Sequence, residues 1–371
     1  MNKMRILLIS GGNQVGQNIL DALADRRSDV KLVATNTVAT EISLFDFDAV
    51  YLTPETRGAP AAFERRFSEI LALEKPDLVI PCRDDDVVFL ADYRERRPEL
   101  AKAFLCGNRS TAEATCDKWL SWQFSVERGL PFAPTLATPA GAQAEAFASE
   151  HGFPLVAKPR RGFASRGVYL VCNEAQLRRV ATQDGYVIQK YLDDPSIPAA
   201  HLRSTDQMGI PLFHSFEGTK ISLEIFLAPD GSPAGNFSFS ITLSNDRTMC
   251  FERYESGEAT ALGEQCIRAF ADAGWRGPMN IQCKLTPSGK LVVFEFNGRF
   301  NGGTAARRLM GYDEVGLAVK TFAGKELEPA RYSHGTSHVA RRMVYAVPQA
   351  GEIAKLMRDE HWQRATGADR A

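Results

Sequence analysis

The sequence predicts a mixed fold, α/β over the first hundred or so residues and α+β beyond them. Three observations lead there. Short apolar runs alternate with helical stretches near the N-terminus, as in a parallel sheet with crossover helices. A helix with a glycine–proline stop follows, and a domain boundary near 110 to 115 fits it. Beyond it, apolar strands come in pairs joined by glycine-bearing turns, the mark of antiparallel hairpins.

The first element is LLISGGNQVGQNIL (7–20), in which a glycine turn joins strand 5–10 to helix 15–25. A dinucleotide fingerprint needs G-x-G-x-x-G, whose second glycine lets backbone approach a pyrophosphate. Here Asn13 stands in that place, so the turn reads as a strand–helix joint and an NAD-dependent oxidoreductase is disfavoured. KLVATN (31–36), DAVYLTP (48–54) and DLVIPC (77–82) are further strands. FERRFSEILALEKP (63–76) is the helix before the last of these, stopped by proline, and FLCGN (104–108) is read as a fifth strand.

Composition bounds the rest. The chain's 371 residues suit two or three domains. Hydrophobic residues at 44% and charged residues at 24% are ordinary globular values, and a net charge of -1 implies no nucleic-acid surface. No apolar run reaches membrane-spanning length, and Met1–Arg5 does not read as a signal peptide, so a cytoplasmic protein is expected. The seven cysteines are scattered and form no CxxC, which favours reduced, mostly buried thiols over a zinc site.

TCDKWLSWQFSVERGLPFAPTL (115–136) reads as a helix ended by Gly129 and Pro131. In HGFPLVAKPRRGFASRGVYLV (151–171), strand 155–159 enters a loop with Gly162, Ala164, Ser165 and Gly167, then strand 168–172. Small residues let backbone N–H groups fold over phosphate oxygens, and Lys158, Arg160, Arg161 and Arg166 add positive charge. GYVIQKYLDD (185–194) is another strand. In GPMNIQCKLTPSGKLVVFEFNGRFNGG (277–303), strands 279–285 and 290–297 flank Pro287-Ser288-Gly289. Alternation puts Glu295 and Asn297 on one face and Phe294 and Phe296 on the other. With Ser288-Gly289 as a two-residue turn, Gln282 lies opposite Glu295, and a one-residue slip would separate them. That face offers oxygen ligands with a single carboxylate, suited to Mg²⁺ shared with substrate phosphates. An isolated hairpin with a solvated polar face is the commoner case, but it leaves the glycine loop upstream without a purpose.

Together these segments resemble the ATP-grasp superfamily, specifically the carbamoyl-phosphate-synthetase-like carboxylate–amine ligases, over roughly residues 1 to 330. The resemblance implies a Rossmann-like pre-ATP-grasp domain (1–112), closed by VIPCRDDDVVFLA (79–91), and then a two-lobed ATP-grasp domain (113–190 and 191–330). A C-terminal segment (331–371) follows, its tail 351–370 read as a short amphipathic helix and then disorder. The family's two ATP lysines match Lys118 and Lys158. Its phosphate loop matches 160–168, with Gly162, Ser165 and Gly167. Its adenine hinge matches 187–192, with Gln189, Lys190, Tyr191 and Leu192. Its magnesium set matches Gln282, Glu295 and Asn297, with Mn²⁺ left open as the ion, followed by Arg299.

Two positions depart from the pattern: Lys190 after the hinge glutamine and Lys220 at the head of KISLE (220–224) stand where the family has acids. One such acid normally holds the ribose. Asp193, Asp194 and Glu217 are the candidates to replace it. An insertion, 195–218, carries His201, Arg203, Asp206 and His214 and reads as a surface loop or a substrate lid.

The resemblance implies transfer of the ATP γ-phosphoryl to a small carboxylate such as an amino acid, then attack by an amine. Lys158 and Arg299 would be catalytic, Arg299 stabilising the transferred phosphoryl. Gly302-Gly303 would admit the intermediate closely, and Arg307 or Arg308 would receive a substrate carboxylate, unless the two are simply solvated. One such unit leaves no room for a full carbamoyl-phosphate synthetase. A nucleotide-sensing protein without catalysis is the competing reading. The expected partners are small molecules, with no nucleic acid and no membrane, and a homodimer is left open.

Overall fold

The computed structural model describes residues 3–162, 165–208, 219–244, 247–328, 336–341, 347 and 350–364. Its elements fall into three sheets. The first is built from β1 (Met4–Ile9), β2 (Val30–Asn36), β3 (Ala49–Leu52) and β4 (Leu78–Pro81), with helices α1 (Gln14–Ala22), α2 (Pro60–Glu74) and α3 (Asp84–Arg96) around it. β1 pairs in parallel with both β2 and β4, and β2 in parallel with β3. These strands are apolar almost throughout and buried on both faces, as parallel strands covered by helices must be.

FLCGN does not become a strand. It makes only an isolated bridge, Val79 to Phe104, and then runs to Asn108, whose side chain accepts from Thr111 N–H and caps α4 (Arg109–Cys116). The expected helix of 115–136 is in fact split. Asp117, extended at φ -121°, ends α4 and caps α5 (Lys118–Glu127) by accepting from the N–H groups of Trp119 and Leu120. That break lets Lys118 open a helix.

The second sheet has four strands in the order β5–β8–β6–β7: β5 (Thr135–Ala137), β6 (Leu155–Pro159), β7 (Tyr169–Val171) and β8 (Tyr186–Lys190). It is backed by α6 (Ala142–His151) and α7 (Glu174–Ala181), and Leu155, Ala157, Val171, Leu177 and Ile188 form its core. α8 (Ser196–Met208) occupies the insertion. His214 and Glu217 lie outside the described residues, as do the Asp206 side chain and Ala164.

The third sheet has six strands. β9 (Lys220–Leu227), β10 (Pro233–Ser244) and β11 (Arg247–Arg253) precede α9 (Gly257–Ala273), and β12 (Gly277–Leu285) and β13 (Leu291–Asn297) follow it. After the short helix α10 (Thr304–Leu309) and α11 (Glu314–Ala323), β14 (His338–Ala340) closes the order β13–β12–β9–β10–β11–β14. The tail then forms α12 (Ala350–Asp359) and β15 (His361–Gln363), which pairs antiparallel with β3. Leu356 and Trp362 enter the core of the first sheet, so the described part of the tail is packed structure.

Five of the cysteines are buried and all seven are free; Cys172 and Cys250 are half-buried. Burial pushes the thiols of Cys82, Cys106, Cys116, Cys266 and Cys283 up. Among the described residues, no group of three His, Cys, Asp or Glu side chains is placed to hold a metal. No described helix is long and apolar enough to cross a membrane.

Candidate active site

A cleft of about 840 Å³ lies between the four-stranded and six-stranded sheets. Strand alternation decides what enters it. On β6, Leu155 and Ala157 point into their own core while Val156 and Lys158 face the cleft. On β12, Met279, Ile281 and Cys283 are buried in the opposite direction, and Asn280, Gln282 and Lys284 line the cleft.

The hairpin keeps the expected pairing by an unexpected route. The loop between β12 and β13 is Pro287-Ser288-Gly289, closed by Thr286 N–H donating to Lys290 C=O at 2.9 Å, with Gly289 at φ +77°. A loop one residue longer than assumed shifts the register: Leu285 pairs with Leu291, and Cys283 with Val293. Phe294 is then left over as a bulge, and beyond it Gln282 pairs with Glu295 after all. The bulge also corrects the facing of the strand. Phe294 and Glu295 both line the cleft, while Phe296 lies in the core at 2% exposure.

Lys158 is buried in the middle of this arrangement. Its Nζ donates to the Phe294 carbonyl at 3.1 Å and lies 5.4 Å from that ring's centre. Lys118 Nζ is 3.3 Å from Glu295 Oε1 and 3.4 Å from the Gly162 carbonyl. Burial pushes the Lys158 ammonium down to about 7, with Glu295 opposing and Lys118 and Lys220 adding to the fall. Burial alone would raise the Glu295 carboxyl, but Lys118, Lys158 and Lys220 outweigh it and hold that group below its usual range. The described lining carries seven lysines and arginines against two carboxylates, Asp193 and Glu295, so the cleft is built for a polyanion.

The loop after β6 starts with two arginines that do not face the cleft. Arg160 Nη2 is 2.9 Å and Arg161 Nε 3.5 Å from Asp117 Oδ2, at the cap of α5. They tie the loop's base to Lys118 rather than adding free charge. Gly162, Ser165 and Arg166 line the cleft. Ser165 at φ +54° and Gly167 at φ +72° take left-handed backbone, and a Cβ at Gly167 would stand 3.0 Å from the Tyr186 hydroxyl.

Val156, Val168, Leu170, Tyr191, Leu192 and Phe294 make one end of the cleft an apolar slot. Among the described residues, the N–H groups of Tyr191 and Leu192 have no hydrogen-bond partner, so the edge of this slot offers backbone polarity to a ligand. Gln189 donates its amide to Thr135 Oγ1 at 2.9 Å, and Lys190 is exposed at the rim. Lys220 also lines the cleft. Of the acids suggested to replace the missing ones, Asp193 lines the cleft and pairs with Lys284 at 2.8 Å. Asp194 instead accepts from Ser196 N–H at the start of α8. No described residue of α8, including His201 and Arg203, is part of the lining.

The proposed metal face gains a member and loses one. Asn280, opposite Asn297 in register, accepts from Gln282 Nε2 at 3.3 Å and from Asn297 Nδ2 at 3.4 Å. Asn280 lines the cleft, whereas Asn297 is 7% exposed and its oxygen accepts from Arg299 Nη2 at 3.3 Å. Arg299 itself is held outside the described lining by Asp84, at 2.7 Å, at the start of α3. Alternation along β12 from Gln282 was the signal that reaches Asn280 and Lys284. Glu295 and the Gln282 carbonyl fit a hard divalent ion whose remaining ligands are phosphate oxygens, with Lys118 now occupying the Glu295 carboxylate.

Arg307 and Arg308 are not solvated, nor does either belong to the described lining of the cleft. Arg307 is 0% exposed and pairs with Glu224 at 3.1 Å and with Glu314. Burial raises the Glu224 carboxyl, against Arg307 and the amides of Asn280 and Asn301. Arg308, 5% exposed, clamps Asp25 of the N-terminal region.

No protein-family model matches the chain. An alignment of length 249, which covers 62% of this chain, is 24% identical to "Uncharacterized protein y4rH" of Sinorhizobium fredii (strain NBRC 101917 / NGR234) and spans 46% of it, about half that relative's length. Solved structures are more informative about shape. Biotin carboxylase from Campylobacter jejuni, in a β,γ-ATP complex, superposes with a TM-score of 0.62 at 17% identity, over 90% of this chain and 73% of that one. N5-carboxyaminoimidazole synthetase from Staphylococcus aureus, complexed with ADP, gives 0.65 at 14% identity, over 88% and 79%. The biotin carboxylase domain dimer of Hydrogenobacter thermophilus 2-oxoglutarate carboxylase, with MgADP and bicarbonate, gives 0.60 at 16%, over 90% and 72%. The chain thus has the multi-domain ATP-grasp fold. Within that fold it is similar to these carboxylases and synthetases.

Proposed function

We propose that the chain is an ATP-dependent carboxylate–amine ligase that forms a C–N bond through an acyl phosphate and releases ADP and phosphate. The observation that carries this reading is the convergence of Lys118 and Lys158 on Glu295 in a cation-rich cleft that ends in an apolar slot. A substrate carboxylate oxygen bonds to the γ-phosphorus as the bond to the β-phosphate oxygen breaks. The amine nitrogen then bonds to the acyl carbon, phosphate leaves with the C–O electron pair, and the amine's proton passes to water. Such transfer needs positioned cations and no covalent nucleophile.

The base would lie in the slot between Val156, Leu170 and Leu192, with the Tyr191 and Leu192 amides at its edge. Lys158 and Lys118 would take phosphate oxygens, and the loop bearing Gly162, Ser165 and Gly167 would cover them. Glu295 and Gln282 would hold Mg²⁺, with Asn280 orienting Gln282 and Asn297 supporting Asn280 from below. When bound, Mg²⁺ supplies charge neutralisation between the transferring phosphates. Asp193 is the acid best placed for the ribose. Arg299, for which the resemblance gives a catalytic role, would reach the phosphoryl only by leaving Asp84. The structural neighbours are named as ATP or ADP complexes, and one as a dimer, which supports nucleotide use and makes a homodimer the assembly to test. They give no support to an amino acid as substrate. A cytoplasmic, small-molecule enzyme is the setting we infer.

The lysines at 190 and 220 favour a second reading, a nucleotide sensor without turnover. Calorimetric titration with Mg–ATP and with NAD, followed by a phosphate-release screen over pooled carboxylates and amines, separates them. The ligase reading requires ATP binding, no NAD binding, and phosphate release that some pool accelerates. Binding without any accelerated release supports the sensor, and NAD binding overturns both.

A further inference from the structure

The cleft has a second end with a different lining. Beyond the lysines and Glu295 stand Gln14, Phe239, Ile241, Phe251, Gly302 and Arg341. None of these carries a carboxylate. The two carboxylates of the described lining are elsewhere, Asp193 bound to Lys284 and Glu295 beside Lys118. Arg341 lies over the Phe251 ring, 5.8 Å from its centre, and donates one guanidinium nitrogen to the Gly302 carbonyl. Phe251 in turn packs against Phe239, 6.0 Å between ring centres, and Arg307 backs Phe239 at 5.3 Å. Arg307 is consumed by Glu224, Glu314 and Asn301, whereas Arg341 makes no other hydrogen bond among the described residues and feels the Asp21 carboxylate only through space.

An aromatic wall under a fixed guanidinium recognises a carboxylate joined to an apolar body. Among the described residues of that lining nothing offers an anion to an ammonium, Asp21, which attracts Arg341, lying outside it, and an unpaired ammonium is costly to bury. We infer that the acyl substrate is an apolar carboxylate with a ring or branched chain and no charged amine, its carboxylate received by Arg341 and its body against Phe251 and Ile241. This rests on the ligase reading above and names the substrate class of that site. Arg341 would present one carboxylate oxygen to the phosphoryl group bound beside Lys158.

Matched pairs test it. ADP release would be measured with Mg–ATP and hydroxylamine, which attacks an acyl phosphate to give a hydroxamate and phosphate. The carboxylates are 3-phenylpropanoate against L-phenylalanine, 4-methylpentanoate against L-leucine, and acetate, aspartate and bicarbonate. The apolar member of each pair should give kcat/KM at least about tenfold above its amino acid and above acetate. Arg341→Ala should raise KM for 3-phenylpropanoate about tenfold or more while leaving the Kd for ATP unchanged, and Arg341→Lys should recover part of the loss. If amino acids, aspartate or bicarbonate are the better substrates, or if ATP binds and neither apolar acid is turned over, this inference falls and the ligase reading stands or falls separately. If Mg–ATP does not bind, the ligase reading itself is lost.

Discussion

Two strands of this chain, β1 and β6, run into glycine-rich loops, and the loops stand in opposite surroundings. After β1, Gly11 N–H donates to Thr35 C=O, and Asn13 Oδ1 accepts from Val15 N–H at 2.8 Å and Gly16 N–H at 3.1 Å. The helix start that would face a pyrophosphate is satisfied from within. Gly16 serves packing alone, since a Cβ there would lie 1.9 Å from the Gly11 carbonyl. After β6, the base is pinned by Arg160 and Arg161 on Asp117, and Gly162 and Ser165 are turned to a cleft lined with cations. Glycine content therefore does not make a phosphate site. What matters is which way the loop faces and what charge surrounds it.

The sharpest way to break this contrast is at the charged centre of the second region. Glu295→Ala removes the only carboxylate paired with Gln282, and turnover should fall by roughly 100-fold or more, read as phosphate release. Next, Lys158→Met should raise the Kd for ATP about tenfold or more, whereas Lys190→Ala at the exposed rim should change it less than about threefold. Because Lys158 is pushed down to about 7, the free protein holds it neutral above that pH. Phosphates favour its charged form, so ATP binding at pH 8 should take up close to one proton, and affinity should weaken as pH rises from 7 to 9. Calorimetry in buffers of different ionisation enthalpy measures that uptake, which Lys158→Met should abolish.

A smaller effect separates the two glycines of the β6 loop. Gly167→Val places a β-branched residue at φ +72° against Tyr186 and should slow turnover severalfold, at a conformational cost of about 1–3 kcal/mol. Among the described residues Gly162→Ala meets only Pro159, at 3.6 Å, and should be near neutral. The least effect on function belongs to the first loop. Asn13→Ala should cost about 1 kcal/mol of stability through the lost cap and leave the Kd for ATP unchanged, by thermal melting and titration.

Much of this contrast is legible in the sequence, because Asn13 stands where a glycine is needed and VAKP precedes small residues and a second strand. The Gln282–Glu295 pairing was also legible, though for a partly wrong reason. A three-residue loop replaced the two-residue turn, and the bulge at Phe294 restored the register while turning that ring into the cleft. A single sequence does not show bulges, since the extra residue keeps an ordinary apolar pattern. The fate of Arg307 and Arg308 was hidden because their partners, Glu224, Glu314 and Asp25, are remote in sequence or become buried only on folding. The fifth strand of the first sheet was misplaced for the same reason. FLCGN is apolar enough for a strand, but β15 comes from the other end of the chain, and only Trp362 between His361 and Gln363 hinted at it.

Nucleotide phosphates are expected to meet the β6 loop and not the β1 turn. Hydrogen exchange with and without a non-hydrolysable Mg–ATP analogue tests it directly. Exchange should slow in Ser165–Leu170 and at Tyr191 and Leu192, with the amides of Gly11–Gly16 unchanged. Protection of Gly11–Gly16 with Ser165–Leu170 unaffected would contradict it.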